Sequence, residues 1–284
     1  MLGACGNGLN NPSSTATIPA PIISPTDIPP TATSEPLAAR VNGEGILLED
    51  FNIEMQMFQA AQQEKGNNTG VEEQKKIVLD DLIYNTLLAQ ETEKTGFIFD
   101  EAAQKTKIGE LSNQIGSPEK LAEWKKTMGF SDQTFLRSLT RSIKSAWQRD
   151  QIMQSVSETA EQVHVQQILV QEEAYANQIL EKLNNGQDFN TLAFQVDPIT
   201  GGELGWFPKG FIFQPEVESA AFATEPGKFS DVIHSSVGYH ILLVLEKDEN
   251  RVLGPEARSV LQKAAVTAWV KEKQNQSNIE ILLP

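Results

Sequence analysis

Apolar residues recur every three or four positions through much of the first half of the chain. This spacing is sustained from Val71 to Thr95, where it predicts an amphipathic helix. Three further segments with the same spacing each follow a residue suited to cap a helix, at Asp100, Ser117 and Ser131. The pattern therefore predicts a helical region over residues 37–158, which begins with a short strand and turn.

A methionine and aromatic stripe lies early in that region, at Met55, Met57 and Phe58. Methionine adapts to many shapes, so the stripe is a candidate client-binding surface. Residues at this spacing more often pack into the core of their own domain. We favour the core and keep the binding surface as the alternative.

The periodicity changes near the middle of the chain. Val163–Val170 is a β-branched apolar run that predicts a strand, and 241–245 predicts another, with helical segments between them. This predicts a second domain of strands and helices over residues 159–248. The last segment, 249–284, is predicted to contain an amphipathic helix with no partner of its own, so its apolar side must pack on another part of the protein.

The first 36 residues have a different composition, rich in Pro, Ser, Thr and Asn. This composition predicts a disordered stalk. Leu2–Cys5 resembles a bacterial lipobox, in which the cysteine receives lipid after signal cleavage. We therefore expect Cys5 to be a lipidation site, the signal peptide to be truncated in this sequence, and the protein to be anchored at the bacterial cell membrane. A chance cysteine near the start methionine is the alternative.

Charge and residue spacing disfavour several classes of protein, including those that bind nucleic acid, metal ions or phosphate. The formal net charge is -15, which disfavours binding to nucleic acid. A single cysteine cannot form an internal disulfide, and nothing after it approaches the ~18 apolar residues of a membrane span. His and Cys residues lack metal-ligand spacing, and no phosphate-binding glycine loop with lysine is present. We expect no metal and no cofactor.

Four motifs in order carry a family resemblance. They are the strand ending at Val170, the Gly186–Phe189 segment followed by Leu192-Ala193, the glycine-rich Gly201–Phe207 block, and Gly238–Ile241. Together they resemble parvulins, the PpiC-like peptidyl-prolyl isomerases, across roughly 85 residues. The resemblance implies a small antiparallel sheet wrapped by helices. Residues 41–44 and 79–83 resemble more loosely the N-terminal helical module of SurA-like and PrsA-like extracytoplasmic folding factors. In SurA-like proteins a C-terminal helix returns to that module, so the resemblance implies that residues 249–284 pack back on residues 37–158. The expected fold is therefore an α+β domain inserted in an all-helical module.

The resemblance also implies a set of site residues. His240 falls on the second histidine of the parvulin pair, whereas Gln167 occupies the position of the first. Asp197 falls near the position that the family fills with Asp or Cys, and Ser235 falls where Thr or Ser joins the histidine network. Glutamine can donate and accept hydrogen bonds, so a Gln167–His240 bond is expected. His240 as a plain buried core histidine is an equal alternative.

The expected proline pocket is apolar and departs from the family pattern. Its residues would be Leu204, Ile212, Val217 and Phe222, where Ile212 and Val217 replace the usual Met and Phe. The pocket is therefore expected to be wider or shallower than is usual.

The resemblance implies an isomerase that assists the folding of secreted or envelope proteins, with unfolded chains containing X-Pro bonds as partners. The alternative is a non-catalytic chaperone that uses a degenerate parvulin domain to bind peptides. A solute-binding lipoprotein would fit the N-terminus but not the central motifs. A hydrolytic triad of Asp197, Ser235 and His240 is disfavoured, because no Gly-x-Ser-x-Gly nucleophile elbow is present.

Overall fold

A computed structural model describes residues 35–66 and 69–283 of the chain. The predictions for Cys5 and for nearly all of the N-terminal stalk lie outside these residues. The helices are α1 (Leu48–Lys65), α2 (Val71–Thr95), α3 (Glu101–Ile115), α4 (Pro118–Thr127), α5 (Asp132–Ser155), α6 (Glu173–Asn184), α7 (Phe189–Val196), α8 (Pro215–Ala223) and α9 (Pro255–Gln276). The strands are β1 (Leu37–Val41), β2 (Glu44–Leu47), β3 (Thr159–Val170), β4 (Glu203–Pro208), β5 (Ile233–Ser235), β6 (Gly238–Val252) and β7 (Ile279–Ile281).

The predicted caps begin the helices of the first half. Asp100 accepts a hydrogen bond from the Ala103 N–H, and Ser117 accepts one from the Lys120 N–H. Ser131 and Thr134 form a capping box at the start of α5. These bonds satisfy N–H groups that the first turn of a helix leaves unpaired, which fixes where each helix begins.

The C-terminal helix packs against the helices of the first half, in what we call the helical module (residues 37–158 with 249–283). Val266 and Val270 of α9 join Leu82 and Leu88 of α2 in one buried core. Met55 and Phe58 pack partly buried against that core, which favours the core interpretation for these two residues of the stripe. Strand β7 pairs with β1 in a three-stranded sheet of order β2-β1-β7. The module therefore contains a small sheet, which the expectation of an all-helical module left out.

The second sheet has the order β4-β3-β6-β5, and all its pairs are antiparallel. It forms the sheet domain (residues 159–248), which lies in sequence between the two parts of the helical module. Strands β3 and β6 pair from Thr159 opposite Val252 to Val170 opposite Tyr239. The chain thus leaves α5 and returns to α9 along one two-stranded ribbon. The expected α+β fold class is confirmed.

Each face of the sheet domain is covered by different helices. On one face, Ile168 and Ile241 pack with residues of α6 and α7. On the other, Val165 and Val244 pack with Val217 and Ala221 of α8. The sequence analysis predicted α6 and α7 but missed α8 and β4, which are short and lack a clear periodicity.

Candidate active site

The α8 face of the sheet also carries polar residues that the motifs singled out. In the β3–β6 ladder, Gln167 lies opposite Leu242 and Leu169 lies opposite His240. Residues directly opposite in an antiparallel pair point to the same face, so Gln167 and His240 are diagonal neighbours. Strand β5 places Ile233 opposite His240 from the other side.

His240 is 2% exposed and is hydrogen-bonded through both ring nitrogens. Its Nδ1 lies 3.0 Å from Gln167 Oε1 and its Nε2 lies 2.7 Å from Ser235 Oγ. Burial lowers the pKa of His240, and the nearby charge of Glu216 opposes that shift only in part. The ring is therefore neutral at pH 7. In the arrangement that satisfies every group, Nδ1–H donates to Gln167 and the Ser235 hydroxyl donates to Nε2.

Ser235 is held in place by the hairpin that joins β5 to β6. Its Oγ accepts a hydrogen bond of 3.1 Å from the Val237 N–H. Gly238 follows with φ of 137°, and a Cβ there would lie 2.6 Å from the carbonyl oxygen of Val170. Only glycine lets the hairpin approach the end of β3 this closely. The hairpin thus fixes Ser235 beside the imidazole ring.

Asp197 stands at the end of α7, and its carboxylate organises its own loop. It accepts hydrogen bonds from the Ile199 N–H at 3.0 Å, from the Thr200 N–H at 3.2 Å and from the Thr200 hydroxyl. A longer bond of 3.3 Å comes from the Gly202 N–H. The Thr200 hydroxyl and the backbone amides lower the pKa of Asp197 to about 2. The carboxylate is an anion that braces the loop.

The braced loop meets the edge of the site at Gly202. The Gln167 N–H donates to the Gly202 carbonyl oxygen at 2.8 Å, and Gln166 Nε2 donates to the Gly201 carbonyl oxygen at 2.8 Å. Gly202 has φ of 74°, and a Cβ there would lie 1.8 Å from the Gln167 carbonyl oxygen. Asp197 therefore reaches Gln167 through the backbone of this loop, whereas Gln167, Ser235 and His240 meet directly.

The predicted pocket residues lie in one apolar cluster on the α8 face. Leu204, Ile212 and Phe222 are partly buried and pack on its core. Val217 is only 2% exposed, so it belongs to the floor beneath the pocket and not to its surface. The Phe222 ring makes an edge contact with Phe207, with the ring centroids 6.2 Å apart.

The three histidines have different surroundings, and none of them belongs to a hydrolytic triad among the described residues. His240 faces an amide and a hydroxyl, while the Asp197 carboxylate is bonded within its own loop, so the three do not form a hydrolytic triad. His164 lies partly exposed, with Nε2 2.8 Å from Glu203 Oε1. His234 is exposed, and its ring lies tilted against the Tyr239 ring with the centroids 4.8 Å apart.

Two family models together match most of the chain. A PPIC-type PPIASE domain matches residues 138–248, and a SurA-like N-terminal domain matches residues 30–139. The chain carries a PPIC-type peptidyl-prolyl isomerase domain joined to a SurA-like N-terminal domain. The resemblance stated from the motifs is confirmed, and the sheet domain is hereafter called the parvulin domain.

Some relatives match most of the chain, and others match about a third of it. A foldase protein PrsA from Clostridium kluyveri is 25% identical over 293 residues, which cover 87% of this chain and 84% of the relative. Foldase protein PrsA 4 from Bacillus cereus is 40% identical over 103 residues, which cover 34% of this chain and 36% of the relative. Among solved structures, a peptidylprolyl isomerase (PrsA) from Bacillus cereus is 24% identical with a TM-score of 0.47, covering 83% of this chain and 86% of that one.

Glu218 of α8 is a residue of the parvulin domain that the sequence analysis missed. Its carboxylate accepts hydrogen bonds from three successive backbone N–H groups, those of Gly210, Phe211 and Ile212. The spacing of six to eight residues between an acid and a glycine-containing turn was the available signal. It became interpretable only once α8 was known to fold back on that turn.

Within residues 35–66 and 69–283, no helix combines the length and apolar character needed to cross a bilayer. The same residues contain no group of three or more His, Cys, Asp or Glu side chains arranged to hold a metal ion.

Proposed function

We propose that this chain is a peptidyl-prolyl cis-trans isomerase that assists the folding of secreted or envelope proteins. The observation that carries the proposal is the Gln167–His240–Ser235 network, which lies beside an apolar cluster in a domain matched by the PPIC-type family. A purely non-catalytic chaperone is not favoured, because that family model and the foldase relatives both describe folding enzymes.

The chemistry requires shape and polarity but no bond cleavage. A prolyl amide rotates over a barrier of ~18–20 kcal/mol because twisting breaks the amide resonance. Leu204, Ile212 and Phe222 would bind the proline ring in an apolar site. A dry surface and fixed polar groups favour the twisted amide over the planar one, which lowers the barrier.

Gln167 preserves the hydrogen bond that a first histidine would make. Its Oε1 accepts from His240 Nδ1–H, so the imidazole keeps one orientation and one tautomer. We assign His240 to the polar layer directly beneath the surface of the site, with Gln167 and Ser235 as the residues that orient it. Asp197 acts through the loop that contacts Gln167, and we keep it as a predicted site residue on that basis.

Peptide exchange measured by NMR tests the activity. Micromolar protein should accelerate cis-trans exchange in a blocked Ala-Pro peptide and in a refolding reaction limited by proline isomerisation. His240→Ala should lower the rate by at least about tenfold, because it removes the polar group beneath the site that Gln167 is bonded to. Gln167→His is the matched change, and it should retain activity because it restores the family pair. No acceleration by the wild-type chain, together with suppression of client aggregation, would replace the isomerase with a chaperone.

We also propose that the protein acts outside the cytoplasm, held by lipid on Cys5. The lipobox-like Leu2–Cys5 segment and the Pro, Ser and Thr-rich segment after it support this. Incorporation of labelled fatty acid into the chain expressed from its full reading frame tests it. Cys5→Ser should abolish the label and release the protein from membranes, and labelling that survives this change would contradict the assignment.

A further inference from the structure

Phe213 is an aromatic side chain with 90% of its surface exposed, at the end of the turn between β4 and α8. An exposed aromatic ring keeps a large apolar area in water, where it gains nothing for folding. The adjacent Ile212 packs partly buried on the cluster that contains Leu204 and Phe222. Phe213 therefore stands at the rim of the pocket proposed for proline.

The turn that carries Phe213 is held rigidly at one end by Glu218. The carboxylate lies 2.8 Å from the Gly210 nitrogen, 3.1 Å from the Phe211 nitrogen and 3.2 Å from the Ile212 nitrogen. Three successive amides bonded to one charged acceptor fix the backbone immediately before Phe213.

Lys209, the residue before Gly210, adds contacts at the start of the turn. Its Nζ lies 2.7 Å from Glu161 Oε2 of β3 and 4.8 Å from the centroid of the Phe222 ring. The backbone from Lys209 to Ile212, immediately before Phe213, is therefore tied to the parvulin domain. Backbone that is ordered before binding loses little further entropy when a partner contacts the side chain next to it.

We infer that Phe213 is a specificity residue that contacts the client side chain next to proline, and that Glu218 is the positioning residue which presents it. The substrate class is an X-Pro segment whose neighbouring side chain is apolar, such as Leu or Phe. The inference rests on the proposed isomerase function, because proline in the adjacent pocket is what brings that side chain to the rim.

Blocked tetrapeptides Ala-Xaa-Pro-Ala, with Xaa as Leu, Phe, Ala or Glu, test the inference by exchange NMR, with a second series varied after proline. We expect kcat/KM for Leu or Phe to exceed that for Ala by about tenfold in at least one series. Phe213→Ala should lower the rate on apolar peptides most, so that this ratio falls towards one. Ile98→Ala is the matched control, because Ile98 is 76% exposed in the helical module, and it should leave the ratio intact.

The role of Glu218 is tested by measuring whether its substitution changes KM or kcat. Glu218→Ala should raise KM for the apolar peptides with little change in kcat, because the His240 network is not touched. Glu218→Gln retains one acceptor oxygen and should recover part of the loss, whereas Glu225→Gln, an exposed acid beyond α8, should have no effect. A uniform fall in kcat with Glu218→Ala would indicate general disruption and would overturn the positioning role.

The two proposals fail in different ways. A wild-type ratio near one in both series, or an unchanged ratio in Phe213→Ala, overturns the specificity inference while the Ala-Pro rate still supports isomerase activity. If the wild-type chain accelerates no peptide, the isomerase proposal fails, and peptide binding measured by NMR shifts takes the place of the rate. Tighter binding of the Leu peptide to wild type than to Phe213→Ala then supports Phe213 as a contact, and equal binding overturns it.

Discussion

The parvulin domain and the helical module each contain a buried polar cluster, and the two clusters are built differently. In the parvulin domain, the cluster of Gln167, Ser235 and His240 is neutral. In the helical module, Asp50 of α1 is 5% exposed and is bound by Arg137 and Arg141 of α5, with Arg141 Nη2 2.5 Å from Asp50 Oδ2.

The two clusters have different roles: the neutral one belongs to the proposed active site, and the charged one joins helices α1 and α5. A neutral network can line a dry pocket at modest cost, since no net charge loses its hydration. A buried charge is tolerated only with its partners, so Asp50 makes the packing of α1 on α5 conditional on two arginines. We therefore expect stability to depend most on the charged cluster and activity to depend most on the neutral one.

The largest stability effect should come from Asp50→Ala. The change leaves two guanidinium groups without their buried partner and should cost about 3 kcal/mol of the helical module's unfolding free energy. Hydrogen exchange read by mass spectrometry should show faster exchange in α1 and α5 and little change in β3 and β6. Asp80→Ala, which breaks only the exposed pair with Lys76, is the control and should cost less than about 1 kcal/mol. Equal effects of the two changes would mean that burial adds nothing at Asp50.

Gly202→Ala should produce the largest effect in the parvulin domain, about 2 kcal/mol. The added Cβ would lie 1.8 Å from the Gln167 carbonyl oxygen, so the loop must move away from the site strand. Gly205→Ala is the control. Gly205 has a similar φ of 70°, but no atom lies within 4 Å of the added Cβ, so this variant shows the cost of backbone strain without a close contact. Thermal unfolding should shift more for Gly202→Ala, and the rate of peptide isomerisation should fall only for that variant. Matching losses in both variants would assign the whole effect to φ.

The sequence predicted the two regions unequally, and the reasons are physical. Caps such as Ser117 and Ser131 act on the next few residues, so local sequence is sufficient to place those helices. The Gln167–His240 bond was predictable because motif order gave the ladder that brings the two together. The arginine partners of Asp50 lie 87 and 91 residues away, and no local pattern links residues at that separation. Helix α8 was missed because it has no clear apolar periodicity; its packing on the sheet through Val217 and Ala221 stabilises it instead.

Ser235→Ala should destabilise the parvulin domain by about 1–2 kcal/mol, because it leaves His240 Nε2 buried without its hydrogen-bond donor. Urea unfolding followed by the NMR signal of the His240 ring should report the loss. Ser236→Ala, in the exposed part of the same hairpin, is the matched control and should be nearly neutral. An unchanged His240 signal in Ser235→Ala would show that the hydroxyl does not donate to the ring.

Mild acid should affect the stability of the parvulin domain and of the helical module in opposite directions. Burial lowers the pKa of His240 below its usual 6.5, so the unfolded chain binds a proton that the folded ring does not. The parvulin domain should therefore lose stability as pH falls from 6.5 towards the lowered pKa. Burial raises the pKa of Glu54 above 4.5, and Asp81 and Asp50 add to that shift. The helical module should accordingly gain stability as pH falls through the raised pKa.

Hydrogen exchange corrected for intrinsic rates can resolve the two slopes in one sample. His240→Gln should flatten the slope for β3 and β6, while Glu54→Gln should flatten the slope for α1 and α5. Slopes of the same sign in both regions would contradict the assignment of opposite shifts.

The smallest effect on stability at neutral pH should come from Asp197→Asn, which changes the loop beside Gln167 in the parvulin domain. The pKa of Asp197 is lowered to about 2 from 3.8, so its contribution to stability is present above pH 3.8 and is lost as pH falls towards 2. The asparagine amide keeps one acceptor oxygen, so the loop should persist at pH 7 while this dependence disappears. Asp231→Asn, an exposed acid before β5, should leave the dependence intact. Acid titration of unfolding between pH 4 and 2 measures it, and a wild-type dependence in Asp197→Asn would show that another carboxylate braces the loop beside Gln167.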